Sequence, residues 1–320
     1  MSTPISSDEA SPFHRGERAI QERLGVRARV ERGARSMLRD FMPDQHRDFY
    51  EDLPFLLVGS LDEAGRPWAS LLQGEPGFVT APGPRSLIVA AHPALGDPLA
   101  HNLQPGAPLG VLGIQLETRR RNRANGRLAW VSERGFELHV EQAFGNCPKY
   151  IQSRVRERPA SRGVAGTPVF GASRLSEEAL ELLARCDTAF IASASAEAAL
   201  GGREGVDVSH RGGLPGFIAH QTNDEGTRLT LPDYVGNFLF NTLGNIEVYP
   251  RAGLLCCDFS SGDLLSVTGG ARAVWDGPRL ASFEGAERLL EIDVERSVLL
   301  RSALRDDWSQ PAFAREFLPR

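Results

Sequence analysis

The segment VDVSHRGGLPGFI at Val206–Ile218 repeats the segment RPWASLLQGEPGFV at Arg66–Val79. Ser209 then lies over Ser70, and the tripeptide Pro-Gly-Phe occurs in both copies at the same offset of 139 residues. Further matches follow in chain order while the offset rises to 144: Gly96 with Gly236, Gly110 with Gly253, Leu112 with Leu255, and Gly126 with Gly270. An ordered series whose offset drifts slowly indicates two copies of one fold with loops of different length.

Short runs of strand composition, separated by turn residues, predict that each copy is a small barrel rather than a doubly wound sheet. In the first copy the predicted strands are Phe55–Leu61, Trp68–Leu72, Ser86–Ala91, Leu109–Leu116, Gly126–Ser132 and Phe136–Ala143. The expected fold class is therefore mainly β with flanking helices, built from two tandem six-stranded barrels.

Composition also predicts the boundaries of the domains. Residues 1–53 form a disordered tail of ten residues and two helical stretches, Glu17–Phe41 and Asp44–Asp52. The first barrel spans 54–152 and the second barrel, with a C-terminal extension, spans 176–320. Between them, residues 153–175 are rich in Arg, Pro, Gly and Ser, which is typical of a linker.

The bulk composition limits the classes of function. Of 320 residues, 41% are hydrophobic and 24% charged, as in a folded globular protein. A net charge of −5 implies no broad basic surface, so nucleic acid is not an expected partner. We find no apolar run long enough for a membrane span and no signal peptide, and four cysteines form no disulfide framework. We therefore expect a cytoplasmic protein that does not contact membranes.

The second copy carries an ordered set of motifs: DVSHRGG at Asp207–Gly213, then PGF, PDYVGN at Pro232–Asn237, NTLGN at Asn241–Asn245 and PRAGLL at Pro250–Leu255. This series closely resembles the pyridoxamine 5′-phosphate oxidase-like superfamily of FMN-binding split barrels, in particular a branch with a DVSPRG…PGF…PDRPGN pattern. The first copy ends in Cys147-Pro148-Lys149, which resembles the Cys-x-Lys segment that closes the barrel in that superfamily. The matches cover most of residues 54–300.

The resemblance implies that the two tandem split barrels pair as a pseudo-dimer within one chain. It also implies that FMN lies in the cleft between them and is bound by residues from both. The Arg-bearing motif is present only in the second copy, where Arg211 stands over Leu72, and the Cys-Pro-Lys segment only in the first, where Ser302 lies near the position of Lys149. Complementary loss predicts one composite flavin site per chain. The predicted cofactor-binding residues are Arg121, Arg123, Lys149, Ser209, Arg211, Gly212, Asp233, Asn237, Asn241 and Thr242.

The chain departs from that branch where arginines are expected near Asp233 and Asn237, since it has Tyr234, Phe238 and Leu239 there. The run Arg119–Arg123 is a candidate replacement across the cleft, and a solvated basic rim is the alternative reading of the same run. Arg211 is expected to bind phosphate or the ring, because a guanidinium pairs with phosphate through two parallel hydrogen bonds. Ser209 either binds the ligand or simply suits the strand.

Lys149 is expected to offset negative charge on the reduced flavin, with a surface lysine as the alternative. His210 alternates away from Arg211, so we expect no catalytic role for it. No side chain is identified as a catalytic residue, and no HExxH or similar pattern suggests a metal site.

These observations predict an FMN-dependent oxidoreductase acting on a small molecule. We see no iron–sulfur cysteine pattern, so electrons are expected from the substrate or a separate reductase. Two alternatives remain open at this point: a non-catalytic flavin carrier or sensor, and a relative that has lost FMN and binds another anionic or planar ligand such as heme. A homodimer is also left open.

Overall fold

The structure is a computed structural model that describes residues 11–159 and 165–318. It is mainly β with few helices, and its antiparallel sheets are consistent with a split-barrel fold. The predicted ten-residue tail and the middle of the predicted linker lie outside the described residues. The helices are α1 (Arg15–Arg23), α2 (Arg27–Met37), α3 (Asp44–Glu51), α4 (Leu99–Asn102), α5 (Glu177–Arg185) and α6 (Asn241–Val248).

Two helices, α1 and α2, replace the single predicted stretch Glu17–Phe41, because Gly25 has a φ of 65° and ends the first of them. The prediction of a helix from Asp44 is confirmed by α3. Helix α5 begins after Ser176, whose side chain accepts a hydrogen bond from the backbone N–H of Ala179.

The strands form two large antiparallel sheets. In the first half they are β1 (Phe55–Leu61), β2 (Pro67–Gln73), β3 (Val79–Gly83), β4 (Ser86–Val89), β5 (Pro108–Gln115), β6 (Arg120–Ser132) and β7 (Gly135–Gly145). A connecting region holds β8 (Arg156–Pro159) and β9 (Val169–Gly171). The second half has β10 (Thr188–Ala194), β11 (Val206–Gly212), β12 (Ala219–Asn223), β13 (Gly226–Asp233), β14 (Arg251–Asp258), β15 (Asp263–Val274), β16 (Arg288–Leu300) and β17 (Asp306–Trp308).

The two sheets arrange their strands in the same order. The first runs β2-β1-β5-β6-β7-β4-β3 and the second β11-β10-β14-β15-β16-β13-β12. Individual hydrogen bonds match as well: the side-chain amide of Asn102 donates to Ser60 in the first half, and that of Asn245 donates to Ser193 in the second. Positions in one sheet can therefore be compared with positions in the other.

Two predictions about these strands need correction. Each half has seven strands in its main path rather than six, because Val79–Gly83 pairs with β4 although its Pro82 and Gly83 read as a turn. The predicted linker 153–175 contains β8 and β9, which pair with β17 and β16.

One repeat match also shifts by a residue. Gly126 corresponds to Gly269 and not to Gly270, because both sit at a register shift where a Cβ would lie 1.9 Å from a carbonyl oxygen of the neighbouring strand. The register shift at each of these two glycines is a β-bulge, and the close approach of the neighbouring strand there leaves no room for a side chain.

The halves are joined by a symmetric pair of close contacts. A Cβ on Gly110 of β5 would lie 2.4 Å from the Val206 carbonyl oxygen, and one on Gly253 of β14 would lie 2.3 Å from that of Pro67. The matched glycines therefore allow the edge strand of each sheet to pack on the other sheet. Around them a shared core contains buried residues of both halves, such as Leu57 and Phe190.

Candidate functional site

A cleft lies between the two sheets, with about 900 Å³ between its walls when the open mouth is included. Strand β6 and the segment after β7 form one wall, and β11, the end of β13 and the start of α6 form the other. All ten residues predicted to bind the cofactor line this cleft: Arg121, Arg123, Lys149, Ser209, Arg211, Gly212, Asp233, Asn237, Asn241 and Thr242.

Arg123 joins the two halves at the base of the cleft. Its side chain is only 2% exposed, and its Nη1 lies 2.7 Å from Oδ1 of Asp207 on β11. Its Nη2 donates to the Val208 carbonyl at 3.0 Å and to the Ser209 hydroxyl. A guanidinium held by three acceptors is fixed in position before any ligand arrives.

Arg121 lies two residues earlier on β6 and has no carboxylate partner among the described residues. Its Nε donates to the Cys147 carbonyl at 2.7 Å, and its Nη2 donates to the Lys149 carbonyl at 2.8 Å. Its pKa is lowered to about 9, chiefly by burial and also by the positive charges of Arg123 and Arg211, although Cys147 acts in the opposite direction. Arg119 is not among the lining residues, since its guanidinium donates to backbone carbonyls elsewhere.

Asp233 is the one carboxylate among the residues that line the cleft, and two arginines contact it. Its Oδ1 lies 3.4 Å from Nη1 of Arg211, and its Oδ2 accepts from Nε of Arg288 at 2.9 Å. Arg288 is opposite Asp233 in the pairing of β13 with β16. Sequence reasoning missed Arg288, because only the strand pairing brings two residues so distant in sequence together.

Aromatic rings form another part of the wall. Tyr150 and Tyr234 line the cleft with ring centroids 5.1 Å apart, and Phe317 contacts both rings at 5.5 and 5.4 Å. The Tyr150 hydroxyl donates to the Val235 carbonyl at 2.8 Å. The ammonium of Lys149 lies 5.8 Å from the Tyr150 ring. The cleft thus offers flat apolar surface beside its charges, as a planar ligand requires.

The loop before α6 is held from outside both sheets by α1. Glu17 is fully buried and accepts from the side-chain amide of Asn241 at 2.5 Å, and the side-chain amide of Gln21 donates to the Leu239 carbonyl at 3.2 Å. Burial and the nearby Asp207 raise the pKa of Glu17 well above its ordinary value. The stretch 11–17 packs behind the cleft wall and supplies none of the residues that line the cleft.

The sequence has Phe238 and Leu239 where arginines were expected, and the structure gives a reason for the change. Leu239 is 2% exposed and packs with Phe13 and Phe144 in a small core beneath α1 and α2. The positive charge expected from this loop comes instead from β6 and β16, through Arg121, Arg123 and Arg288.

His210 also lines the cleft, although strand alternation puts it on the other face from Arg211. Strand β11 packs closely on the Tyr150 segment at this point: a Cβ on Gly212 would lie 2.2 Å from the Tyr150 carbonyl oxygen and 3.0 Å from the His210 ring. Burial lowers the pKa of His210 well below its ordinary value, and Arg121 and Arg211 add to the effect.

Within the described residues, no group of three or more His, Cys, Asp or Glu side chains is placed to hold a metal ion. The helices in that part of the chain are all too short or too polar to cross a membrane.

Comparisons with known proteins give only weak likenesses. No family model matches the chain, and no curated protein matches it. HupZ of Group A Streptococcus is 14% identical over 38% of this chain and 91% of its own, with a TM-score of 0.30. HutZ of Vibrio cholerae, described as a heme storage protein, is 16% identical over 40% and 95%, with a TM-score of 0.26.

ChuZ of Campylobacter jejuni is 14% identical over 37% of this chain and 51% of its own, with a TM-score of 0.23. A putative pyridoxamine 5′-phosphate oxidase of Lactobacillus delbrueckii is among the neighbours as well, with 16% identity and a TM-score of 0.30. At these scores they carry no argument about what this chain binds.

Proposed function

We propose that two copies of one split barrel hold a single FMN in this cleft, and that the protein is an FMN-dependent oxidoreductase acting on a small molecule. One observation supports this above the others. Five cationic side chains from both halves line the same cleft beside one lining carboxylate: Arg121, Arg123, Lys149, Arg211 and Arg288, with Asp233.

Crowding of like charges is unfavourable unless an anion accompanies it. Arg121 shows the effect, since the neighbouring arginines lower its pKa in addition to the effect of burial. A phosphate monoester carries close to two negative charges at pH 7 and accepts several charged hydrogen bonds. Asp207 pairs with Arg123, and Glu287 with Arg288, outside the lining residues. The phosphate of FMN fits the positive charge that remains, while Tyr150 and Tyr234 offer surface to a planar ring.

Bound FMN would supply the electron chemistry, and this chain would bind and orient it. Arg123, fixed by Asp207, gives a positive charge that needs no rearrangement on binding. Asn241 and Thr242 present polar groups at the start of α6, where backbone N–H groups favour an anion. The ammonium of Lys149 lies beside the Tyr150 ring, and we assign it to the ring carbonyl that gains charge on reduction.

The absorbance of the purified protein tests the proposal. We expect flavin bands that bleach with a chemical reductant and recover in air, at one flavin per chain. A flavin that binds but does not turn over with any small-molecule oxidant would instead favour a carrier. A Soret band, or failure to bind FMN in a titration, would overturn the proposal.

A matched pair of variants tests the site itself. Arg121→Leu should weaken FMN binding about 10- to 100-fold, the range expected for losing a charged hydrogen bond. The ligand-free protein should lose only about 1–3 kcal/mol, because the side chain donates to two backbone carbonyls and has no carboxylate partner among the described residues. Arg134→Leu is the control: Arg134 is exposed and occupies the place in the first half that Arg288 has in the second. Equal affinity in both variants would remove Arg121 from the site.

A further inference from the structure

His210 is a buried polar side chain without a polar partner. The residue is 4% exposed, and neither ring nitrogen has a hydrogen-bond partner within the described residues. Its nearest ring neighbour is Phe190, whose centroid lies 5.5 Å away in an edge-on arrangement. Burying a hydrogen-bonding group without a partner is unfavourable, so such a group in a cleft wall calls for an explanation.

The imidazole is held in its neutral form. Burial disfavours the charged ring, and the guanidinium groups of Arg121, Arg211 and Arg154 disfavour it as well. A neutral imidazole has one N–H donor and one nitrogen acceptor. His210 therefore adds no further positive charge to the cleft, but it offers a donor and an acceptor on one rigid ring.

The first half shows that the fold itself does not need a histidine here. His210 is opposite Phe190 in the pairing of β11 with β10, and Leu71 is opposite Leu57 in the equivalent pairing of β2 with β1. Leu71 is 2% exposed and packs in the shared core. A leucine fills this place without any unpaired polar atom, so the histidine is not explained by packing.

We propose that His210 is a ligand-binding residue of the cleft, whose imidazole hydrogen-bonds the polar edge of the flavin ring. This inference rests on the proposed FMN site. The isoalloxazine ring has carbonyl oxygens next to a ring N–H, and a group with one donor and one acceptor complements such an edge. Specificity then divides in two: the arginines recognise the phosphate, and His210 recognises the ring.

Replacing His210 by the residue of the first half is the test. His210→Leu should weaken FMN binding about 10-fold, as expected for the loss of one or two neutral hydrogen bonds. The thermal midpoint of the ligand-free variant should rise by about 2 to 4 °C, because two unpaired buried nitrogens are removed. A residue with only a structural role would lower this midpoint when replaced.

Two further variants keep the test decisive. His210→Gln retains a donor and an acceptor and should keep most of the FMN affinity, including when the leucine variant does not fold. Leu71→His should lower the ligand-free midpoint and leave FMN binding unchanged. If His210→Leu binds FMN as tightly as the parent, or loses ligand-free stability, the inference is wrong. A parent protein that binds no FMN overturns the proposed function and this inference together.

Discussion

Two regions of the molecule occupy equivalent positions in the two sheets, but one is lined by a cluster of cationic side chains and the other by a single arginine, Arg305. The first is the cleft described above. The second, the counterpart cleft, lies beside the end of β2, the segment after β4 and the segment after β16, and residues such as Leu71, Gln73 and Ala303 line it. Because the strand order is the same, each residue of one region has an equivalent in the other.

The cationic positions have lost their charge in the counterpart cleft. Arg123 is opposite Leu112 in the pairing of β6 with β5. In the second sheet Ser266 is opposite Leu255 in the equivalent pairing of β15 with β14, so Ser266 takes the place of Arg123. By the same pairings Leu264 takes the place of Arg121, and Leu72 that of Arg211. Gln73 stands where Gly212 is, and its side chain bonds the Ala303 carbonyl and the Arg305 N–H.

The comparison separates the features that both halves share from those found in one half alone. The close glycine contacts, the Asn–Ser bonds and the shared core are present in both halves. A cluster of four arginines lines one cleft, whereas Arg305 is the one arginine among the residues that line the other. In a symmetric dimer a substitution appears at both sites at once, whereas the two halves of one chain can change independently. The two regions can therefore differ in their side chains although the strand order of the two sheets is the same.

The largest expected effect follows from giving the cleft a residue of its counterpart. Arg123→Ser should lower the free energy of unfolding by about 3–5 kcal/mol, because Asp207 would remain as a buried charge without its cation. FMN binding should also be lost. Urea denaturation of the ligand-free protein measures the first effect and a flavin titration the second.

Ser266→Ala is the control for that variant. Ser266 is buried and donates only to the Ala69 carbonyl at 3.3 Å, so its replacement should lower the free energy of unfolding by about 1 kcal/mol. Equal stability losses in the two variants would contradict the idea that the arginine–carboxylate pair distinguishes the two regions.

The sequence predicted the charged region better than its surroundings. The repeat and the motifs placed ten residues that the structure brings into one cleft, because strand residues keep their register when loops change length. Arg288 was missed because it meets Asp233 only across the pairing of β13 with β16. Glu17 was missed as a partner of Asn241 because α1 lies outside the repeat and has no second copy to reveal it.

The next effect concerns Asp97, which belongs to the counterpart region. Its Oδ1 accepts from the Ser70 hydroxyl at 2.5 Å and from the Leu99 N–H at 2.9 Å, whereas the equivalent Ser209 accepts from Arg123. Burial raises the pKa of Asp97 to about 6, although both hydrogen bonds oppose this. The folded protein therefore holds this proton more tightly than the unfolded chain.

Stability should consequently fall as the pH rises from about 4 to about 6, by about 3 kcal/mol from this group. Asp97→Asn keeps an acceptor for both bonds and should remove that fall, so that the variant is more stable than the parent at pH 7. Asp52→Asn, an exposed change after α3, serves as the control. If the stability of the parent and of Asp97→Asn depends on pH in the same way, ionisation of Asp97 does not lower the free energy of unfolding, and the prediction is wrong.

A smaller effect tests what the two regions share. Gly110→Ala and Gly253→Ala should each lower the free energy of unfolding by about 1–3 kcal/mol, because the added methyl meets a backbone carbonyl of the other half. The two losses should be similar, since the contacts are equivalent. Gly83→Ala is the control, with open space around the added methyl. A loss at only one of the two glycines would show that the halves are not joined symmetrically.

The smallest effect comes from returning one charge to the counterpart cleft. Ser302 lies near the place that corresponds to Lys149, and it is partly exposed beside Ala303 and Leu304. Ser302→Lys should change the free energy of unfolding by less than about 0.5 kcal/mol, as is usual for surface substitutions. It should also leave the stoichiometry at one flavin per chain, measured as bound flavin after desalting, because the new cation and Arg305 would stand beside Leu72, Leu264 and Ser266 instead of a cluster of arginines. Two flavins per chain, in the parent or in this variant, would show that the counterpart cleft also binds and that the arginine cluster is not what separates the two clefts.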